Sequence, residues 1–437
     1  MLDKLISRTL NDKTFAVSLN ASALTPASSL HLCRRRKEAR RFMSLLAISA
    51  LMSVSLFVSA AAQVRIKGNP ECFQTIQEAV DAANPGATVI VHQGTYAENV
   101  TIGKSLTLRG VGHPLVAPAS GVPLTVDNPA GSVVIEGLDI NTPSGQPGIF
   151  YDGLSDDDAN LGVVRNCTIT GGQTGILARE CDLKIRNNDI SGFSGSPSSR
   201  GLLAIGLGST TQIEATHNRI VGQPVAGNLG MTIIAASIRI KSNDVSSTFS
   251  SAIQVSQVEG VIRLNQLADN RVGINLIQSP NCLVENNVVE STAAFTASMN
   301  AQNFSVGHVR VADASNNAQI RNNTLIGGNI GVSLLRSAGV VIDSNIVRDT
   351  VSAGSILGVG ISVFSSSTGA EAHNNNIEGN ASFGMLVDGT SGVVNATDNW
   401  WGAGDGPSGV GPGSGDAVTT DVNFSPFLAA PNPAAGA

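Results

Sequence analysis

Along most of the chain, apolar and polar residues alternate in short runs, and an asparagine breaks each run. Alternation with a period of two is the pattern of a strand that buries one face. The runs also resemble one another: Val284-Glu-Asn-Asn-Val-Val, Ile320-Arg-Asn-Asn-Thr-Leu, Ile342-Asp-Ser-Asn-Ile-Val and Ala372-His-Asn-Asn-Asn-Ile. One asparagine anchors each, at Asn188, Asn218, Asn243, Asn265, Asn287, Asn323, Asn345, Asn375 and Asn399, with an aliphatic residue two places on in all but the last, where Trp401 stands. Cys167, and more weakly Leu138, hold the anchor place in two earlier turns. From Cys167 the steps are 21, 30, 25, 22, 22, 36, 22, 30 and 24 residues. A base period of about 22 residues with insertions is in the range of a solenoid.

The places five and three before the anchor and two after it are mostly apolar, as with Leu183, Ile185 and Ile190 or Val340, Ile342 and Val347. A second short strand follows in several turns, opened by glycine, at Gly175, Gly273, Gly331, Gly360 and Gly384. No such strand buries its face alone, so the expectation is a stack of coils around a narrow apolar core, with parallel pairing between coils. The anchors then sit where the chain bends. Asparagine tolerates left-handed backbone there, and its amide can bond the same amide one coil away. An internal asparagine ladder is expected, because nine asparagines in register are more than scattered loop residues would give.

At this point the chain resembles right-handed parallel β-helix repeat proteins of the pectin-lyase-like superfamily, over roughly residues 64–428. The opening Thr75-Ile-Gln-Glu-Ala-Val-Asp-Ala-Ala, Gly86-Ala-Thr-Val-Ile-Val and Gly94-Thr-Tyr-Ala-Glu-Asn-Val, and the closing Asp398-Asn-Trp-Trp-Gly, Gly406-Pro-Ser-Gly and Val422-Asn-Phe-Ser-Pro-Phe, carry it. The resemblance implies an all-β chain forming a single right-handed parallel β-helix of about 11 or more coils. Its nearest flavour is the carbohydrate-binding and periplasmic accessory β-helix proteins. Such motifs specify fold far more than function. No His/Met cluster supports copper, and the catalytic Gln/Asp/Asp/Arg strand motifs of pectin methylesterases have no counterpart here.

The two ends read differently. In residues 1–62, the basic run Arg34-Arg-Arg-Lys, the apolar stretch Leu45–Val58 and Ala60-Ala-Ala read as an extension plus a secretory signal peptide cleaved near Ala62. The expected location is secreted or periplasmic, with no membrane span after cleavage. Residues 63–428 form the β-helix domain, and the Ala-rich, Pro-rich tail 429–437 reads as disordered. Ile76, Ala79, Val80 and Ala83 make a helical stripe, expected as a helix capping the N-terminal end. The 1–62 segment holds 9 of the 27 Lys/Arg and 3 of the 33 Asp/Glu, so the remainder has 18 basic and 30 acidic residues, a net of −12. A nucleic-acid binder is expected to be basic, so that class is disfavoured. Cys72, Cys167, Cys181 and Cys282 read as buried free thiols.

Two features offer candidate chemistry. Residues two places before the anchors point outward and read Arg165, Arg186, Thr216, Lys241, Arg263, Glu285, Arg321, Asp343, His373 and Thr397. Four places before, Lys184, Glu214 and Arg239 join them. Arg165, Lys184, Arg186, Arg239, Lys241 and Arg263 therefore form a candidate site for carboxylate- or sulfate-bearing sugars, against the plainer reading of surface cations paired with acids. Insertions after Asn188, Asn218, Asn287 and Asn345 fall at one part of the coil and could wall a groove. A further insertion contains Asp152, Asp156, Asp157 and Asp158, oxygen ligands that could hold Ca²⁺. A solvated acidic loop is the preferred reading, with no cofactor.

The favoured function is a monomeric secreted β-helix that binds polysaccharide, acidic rather than neutral, with no catalysis identified. Two alternatives stay open. One is a polyuronate lyase with Lys241 or Arg263 as the base that removes the proton beside the uronate carboxyl. The other is a structural or surface-assembly protein without a glycan ligand. Protein exported by a secreting host is predicted to begin at Gln63, and N-terminal sequencing that finds residues 1–40 retained would contradict the signal reading.

Overall fold

The computed structural model describes residues 63–153, 161–195, 198–206, 210–223, 225 and 227–437. The segment 1–62, with its signal reading, lies outside the described residues, as do Asp156, Asp157 and Asp158. The described chain is an all-β parallel solenoid of about 12 turns. Each regular coil contributes three strands. The first face runs from Pro147–Asp152 through Thr174–Arg179 and Val272–Ile277 to Phe383–Val387. The second runs from Gly162–Arg165 through Leu183–Arg186 to Glu371–His373, and the third from Thr95–Tyr96 through Asp189–Ser191 to Asn376–Glu378. Pairing between successive coils is parallel on all three, for example Leu183↔Ile213, Ile176↔Leu202 and Ile190↔Ile220. The inward aliphatic residues form one continuous core from Val64 to Val422. That is the expected outcome of strands that hide their apolar faces only by stacking.

The anchors do form a ladder. From Asn188 to Asn399 every side chain is buried, at 2 % exposure or less. Each Nδ2 donates to the next Oδ1 at 2.9–3.0 Å along all eight links. The same Oδ1 accepts the backbone N–H of the preceding anchor, as Asn265 N to Asn287 Oδ1 at 3.0 Å. Nδ2 also reaches a carbonyl of the preceding coil, as Asn287 to Ile262 O at 2.9 Å. The ladder thus satisfies backbone groups that the bend would otherwise leave unpaired inside the core. The left-handed geometry, expected at the anchor, falls instead one residue earlier: Asn187, His217, Ser242, Leu264, Asn286, Asn322, Ser344, Asn374 and Asp398 all have φ between 52° and 60°. The bend needs one positive-φ residue to turn the chain. The anchor itself then stays free to aim its amide inward.

A second ladder was not foreseen. Ser279, Ser315, Ser337, Ser367 and Ser391 each stand eight residues before an anchor. Each Oγ accepts the backbone N–H of the residue stacked on it one coil earlier, at 3.0–3.3 Å. These serines do at the bend between first and second faces what the asparagines do at the bend between second and third.

The helix α1 (Ile76–Ala82) starts at Thr75 with a capping box to Glu78, and Ile76, Ala79 and Val80 are buried. Glu98 accepts from the backbone N–H groups of Ile76 and Gln77 at 2.8 and 3.0 Å, which ties the helix to the first coils. Three cysteines, Cys167, Cys181 and Cys282, are free and buried, and burial pushes each thiol up to about 12, which makes them inert. Cys72 corrects the reading of four free thiols: it is disulfide-bonded and lies before α1, not among the inward places of the coils. The tail also departs from expectation. Asn432 donates from its backbone N–H to Asn376 Oδ1 at 2.7 Å and from Nδ2 to Asn374 O at 2.7 Å, while Gly436 N–H donates to Ser344 O at 2.9 Å. Apolar periodicity is no guide to a strap held by such polar contacts.

Two outcomes follow for stability. Asn287→Ala removes the acceptor for Asn265 and leaves buried carbonyls unpaired, and should cost about 3 kcal/mol, read as a lower denaturant midpoint. Leu264 is left-handed, with φ 57°, and 45 % exposed, so Leu264→Asn should stabilise by about 1 kcal/mol in the same measurement.

Candidate functional site

The second-face column is where the sequence placed it. Register aligns Glu136 with Arg165, Arg165 with Arg186, Arg186 with Thr216, Thr216 with Lys241, and Lys241 with Arg263. Three of its six candidate cations, Arg165, Arg186 and Arg263, are paired with acids. Arg165 Nε donates to Glu136 Oε2 at 2.7 Å, Arg186 reaches Glu214 at 2.8 Å, and Glu285 lies between Arg263 at 3.6 Å and Arg321 at 3.0 Å. Glu136 was legible, since it stands two places before the weak anchor Leu138. Lys184, Arg239 and Lys241 have no ion pair among the described residues. Of the two candidate bases, Arg263 is thus held by Glu285 and Lys241 stacks between Thr216 and Arg263. Asp152 accepts from Arg179 at 2.9 Å, and among the described residues no three His, Cys, Asp or Glu side chains gather as metal ligands.

The insertions all leave the solenoid between a third-face strand and the next first-face strand: after Asp189–Ser191, Arg219–Val221, Val288–Ser291 and Ile346–Arg348. The longest, 292–306, contains helix α2 (Ala293–Asn300), N-capped by Thr292, which Asp269 holds at 2.7 Å. Its apolar residues Phe295, Met299, Phe304 and Val306 pack with Phe249 as a small core of their own. Phe304 meets Phe249 edge-on, with ring centres 5.4 Å apart. Phe249 belongs to a coil two turns earlier, so the insertion leans across two short coils and walls the first face beside them.

The first face next to this wall carries an outward row two residues after the glycine position of each coil. Thr232, Gln254, Asn275, Arg310, Ser333 and Ser362 stack in register, with Leu203 and Leu386 at its ends. Steps of about 4.8 Å make this a polar row some 25 Å long, in which Gln254, Arg310 and Ser333 are partly exposed and Thr232, Asn275 and Ser362 are buried. Arg200 Nε donates to Thr232 Oγ1 at 3.3 Å. Arg271, at the foot of the wall, stacks its guanidinium 4.4 Å from the Phe304 ring centre. Burial lowers the pKa of Arg271, and the neighbouring Arg310 lowers it further; burial alone lowers that of Arg200. None of the three arginines has a carboxylate partner among the described residues. Asn275 Oδ1 and Arg271 Nε are buried without a hydrogen-bond partner. The sequence reading missed this set because it followed columns tied to the anchors. The usable signal was the polar residue two places after the glycine in the middle coils, as in Gly273-Ile-Asn and Gly331-Val-Ser.

A second hollow, lined by Asp349, Glu378, Ser382, Trp401 and Asp416, is acidic. Its carboxylates are engaged: Glu378 accepts from Trp400 Nε1 at 3.0 Å and Asp416 from Asn380 Nδ2 at 2.8 Å. That also places Trp400 as a hydrogen-bond donor in the closing coils.

Residues 147–311 match the family model described as "Right handed beta helix region". A cell surface glycoprotein of Methanothermus fervidus is 30% identical over 134 residues, which are 30% of this chain and 22% of that protein. Among solved structures, the Dettilon tailspike protein aligns with a TM-score of 0.44 at 16% identity, covering 69% of this chain and 61% of that one. DFA-IIIase from Arthrobacter chlorophenolicus A6 aligns with a TM-score of 0.45 at 16% identity, covering 74% and 86%. No ligand or chemistry is carried over from likenesses at this level. The match over 147–311, and the unbroken continuation of the same three ladders on either side of it, show a right-handed parallel β-helix fold.

Proposed function

We propose that this β-helix binds an acidic polysaccharide along the first-face row beside the 292–306 wall, and that it acts by binding rather than by catalysis. The observation that carries the reading is Arg271 next to Arg310 with no described carboxylate beside either. Two like charges brought together in an acidic protein repel one another, and an anion between them relieves the repulsion. A carboxylate or sulfate on a sugar supplies that anion, and a guanidinium takes it with two parallel donors. Gln254 and Ser333, partly exposed on the same strip, offer amide and hydroxyl partners for the sugar. Lys241 and Arg263 stand on the second face, away from this strip, which favours binding over the lyase chemistry they were considered for. The relative bearing the name cell surface glycoprotein supports an extracellular setting, where such a ligand is met.

The test is affinity for polygalacturonate or alginate against a neutral glucan, over a series of salt concentrations. Affinity for the acidic chains should fall with salt, as exposed charges are screened over about 8–10 Å. Arg271→Ala/Arg310→Ala should weaken it roughly tenfold or more, at about 1.5–3 kcal/mol per charged hydrogen bond before solvent screening is allowed for. Arg165→Ala/Arg186→Ala, which removes cations already paired with Glu136 and Glu214, should change it little. Equal affinity for acidic and neutral chains sinks the reading. Unsaturated uronate products, seen by ultraviolet absorbance, would replace binding with a lyase.

A further inference from the structure

His308 is a buried group that the binding reading does not use. It occupies the place of Gly175, Gly201, Gly273, Gly331 and Gly360 in their coils, where the chain of one coil lies against the next: a Cβ on Gly273 would stand 2.5 Å from His308 O. The imidazole is fully buried, and neither Nδ1 nor Nε2 has a hydrogen-bond partner. It lies at the root of the wall. The Nε2 atom, Val306 O and Val306 Cγ1 all come within 3.0–3.3 Å of one point, the place a Cβ on Gly328 would take. Val306 is the last residue of the wall and part of its small apolar core. Two backbone bonds and one amide fix it there: Val306 N–H to Asn329 Oδ1 at 2.9 Å, and Asn329 and Ile330 N–H to Val306 O at 2.7 and 3.0 Å.

Among the described residues, the elements around the ring offer nothing to its charged form. The insertion 292–306 contains no Asp, Glu, Lys, Arg or His. The turn 327–329 and the strands Val272–Ile277 and Ile330–Leu335 contain none either. Val288–Ser291 contributes only Glu290, which is exposed, and the strand of His308 itself contributes Arg310, on the outward row with Arg271 close by. Both arginines would repel an imidazolium.

We propose that His308 makes the wall acid-sensitive: protonation of the imidazole by solvent releases the 292–306 insertion from the coil, draws Phe304 off Arg271 and weakens anion binding on the first face. This rests, for its last step, on the binding reading above. Burial holds His308 down at about 4 in the closed form, whereas a ring exposed by opening titrates near 6.5. The closed form therefore binds fewer protons. Its advantage is complete above about pH 6.5 and shrinks as pH falls toward 4, so opening should rise roughly twentyfold between pH 7 and pH 5.

The experiment measures hydrogen exchange of 292–306 in the full chain at pH 7 and pH 5, corrected for intrinsic exchange, for the wild type and for His308→Ala. Alanine is tolerated at the equivalent place in another coil, as Ala252. Exchange should rise about twentyfold in the wild type and stay flat in the variant. Should the variant not fold, the ring of His308 is followed by NMR in the wild type, where a titration near 6.5 with the insertion still protected overturns the proposal. Equal pH dependence in both proteins overturns it as well. Polygalacturonate affinity is measured alongside. An acid-opened wall with no binding at any pH would refute the binding reading and, with it, the last step alone, leaving the release of the wall standing.

Discussion

The buried asparagine amide at the bend between second and third faces is the interaction on which the rest of the solenoid depends. A coil that turns inside a dry core brings backbone N–H and C=O groups out of strand pairing with no water to receive them. One planar amide with two donors and one strong acceptor meets that need coil after coil, provided the coils stack in register. The ladder begins where Cys167 donates its backbone N–H to Asn188 Oδ1 at 3.0 Å. Before it, the long strands Val100–Val111 and Leu124–Glu136 pair directly and the anchor places are apolar. Register, once set, governs everything outward as well, because every surface residue repeats at a coil step of about 4.8 Å.

That shared register has opposite consequences on two faces. On the second, arginine and glutamate alternate closely enough that Glu136 and Glu285 each lie between two arginines. Partly exposed pairs of this kind contribute little stability individually, yet they neutralise Arg165, Arg186, Arg263 and Arg321. On the first face, Arg200 meets a hydroxyl and Arg271 a phenyl ring, and neither they nor Arg310 meet an acid among the described residues. The sign and spacing of the charges differ less than their neighbours do, and the neighbours decide which face can take a ligand.

The insertion 292–306 joins these two levels. It is long enough to carry its own apolar cluster, and it is uncharged. It therefore seals His308 away from water without offering it a partner, and the ring must stay neutral for the insertion to stay docked. The same insertion places Phe304 against Arg271. One piece of chain thus supplies both the aromatic surface beside the arginines and the cover over the titratable group.

The sequence by itself determined the coil. The recurrence of Asn188 through Asn399, the apolar places around them and the glycines that open the next strand set parallel stacking, the inward amides and the outward order of Arg165, Arg186, Lys241 and Arg263. These are local, repeated choices, and repetition makes them legible. The serine ladder was equally legible at a fixed eight residues before the anchor, but serine is common enough in bends to pass as background. What only the tertiary structure decided concerns contacts across coils of unequal length. Glu214 neutralises Arg186 from the neighbouring column, Phe304 reaches Phe249 two coils back, the tail lies on Asn374 and Asn376, and His308 takes a glycine's place under an insertion. A period fixes where a residue stands along the stack, but the direction in which an irregular loop folds depends on which neighbouring coils are short enough to leave room for it.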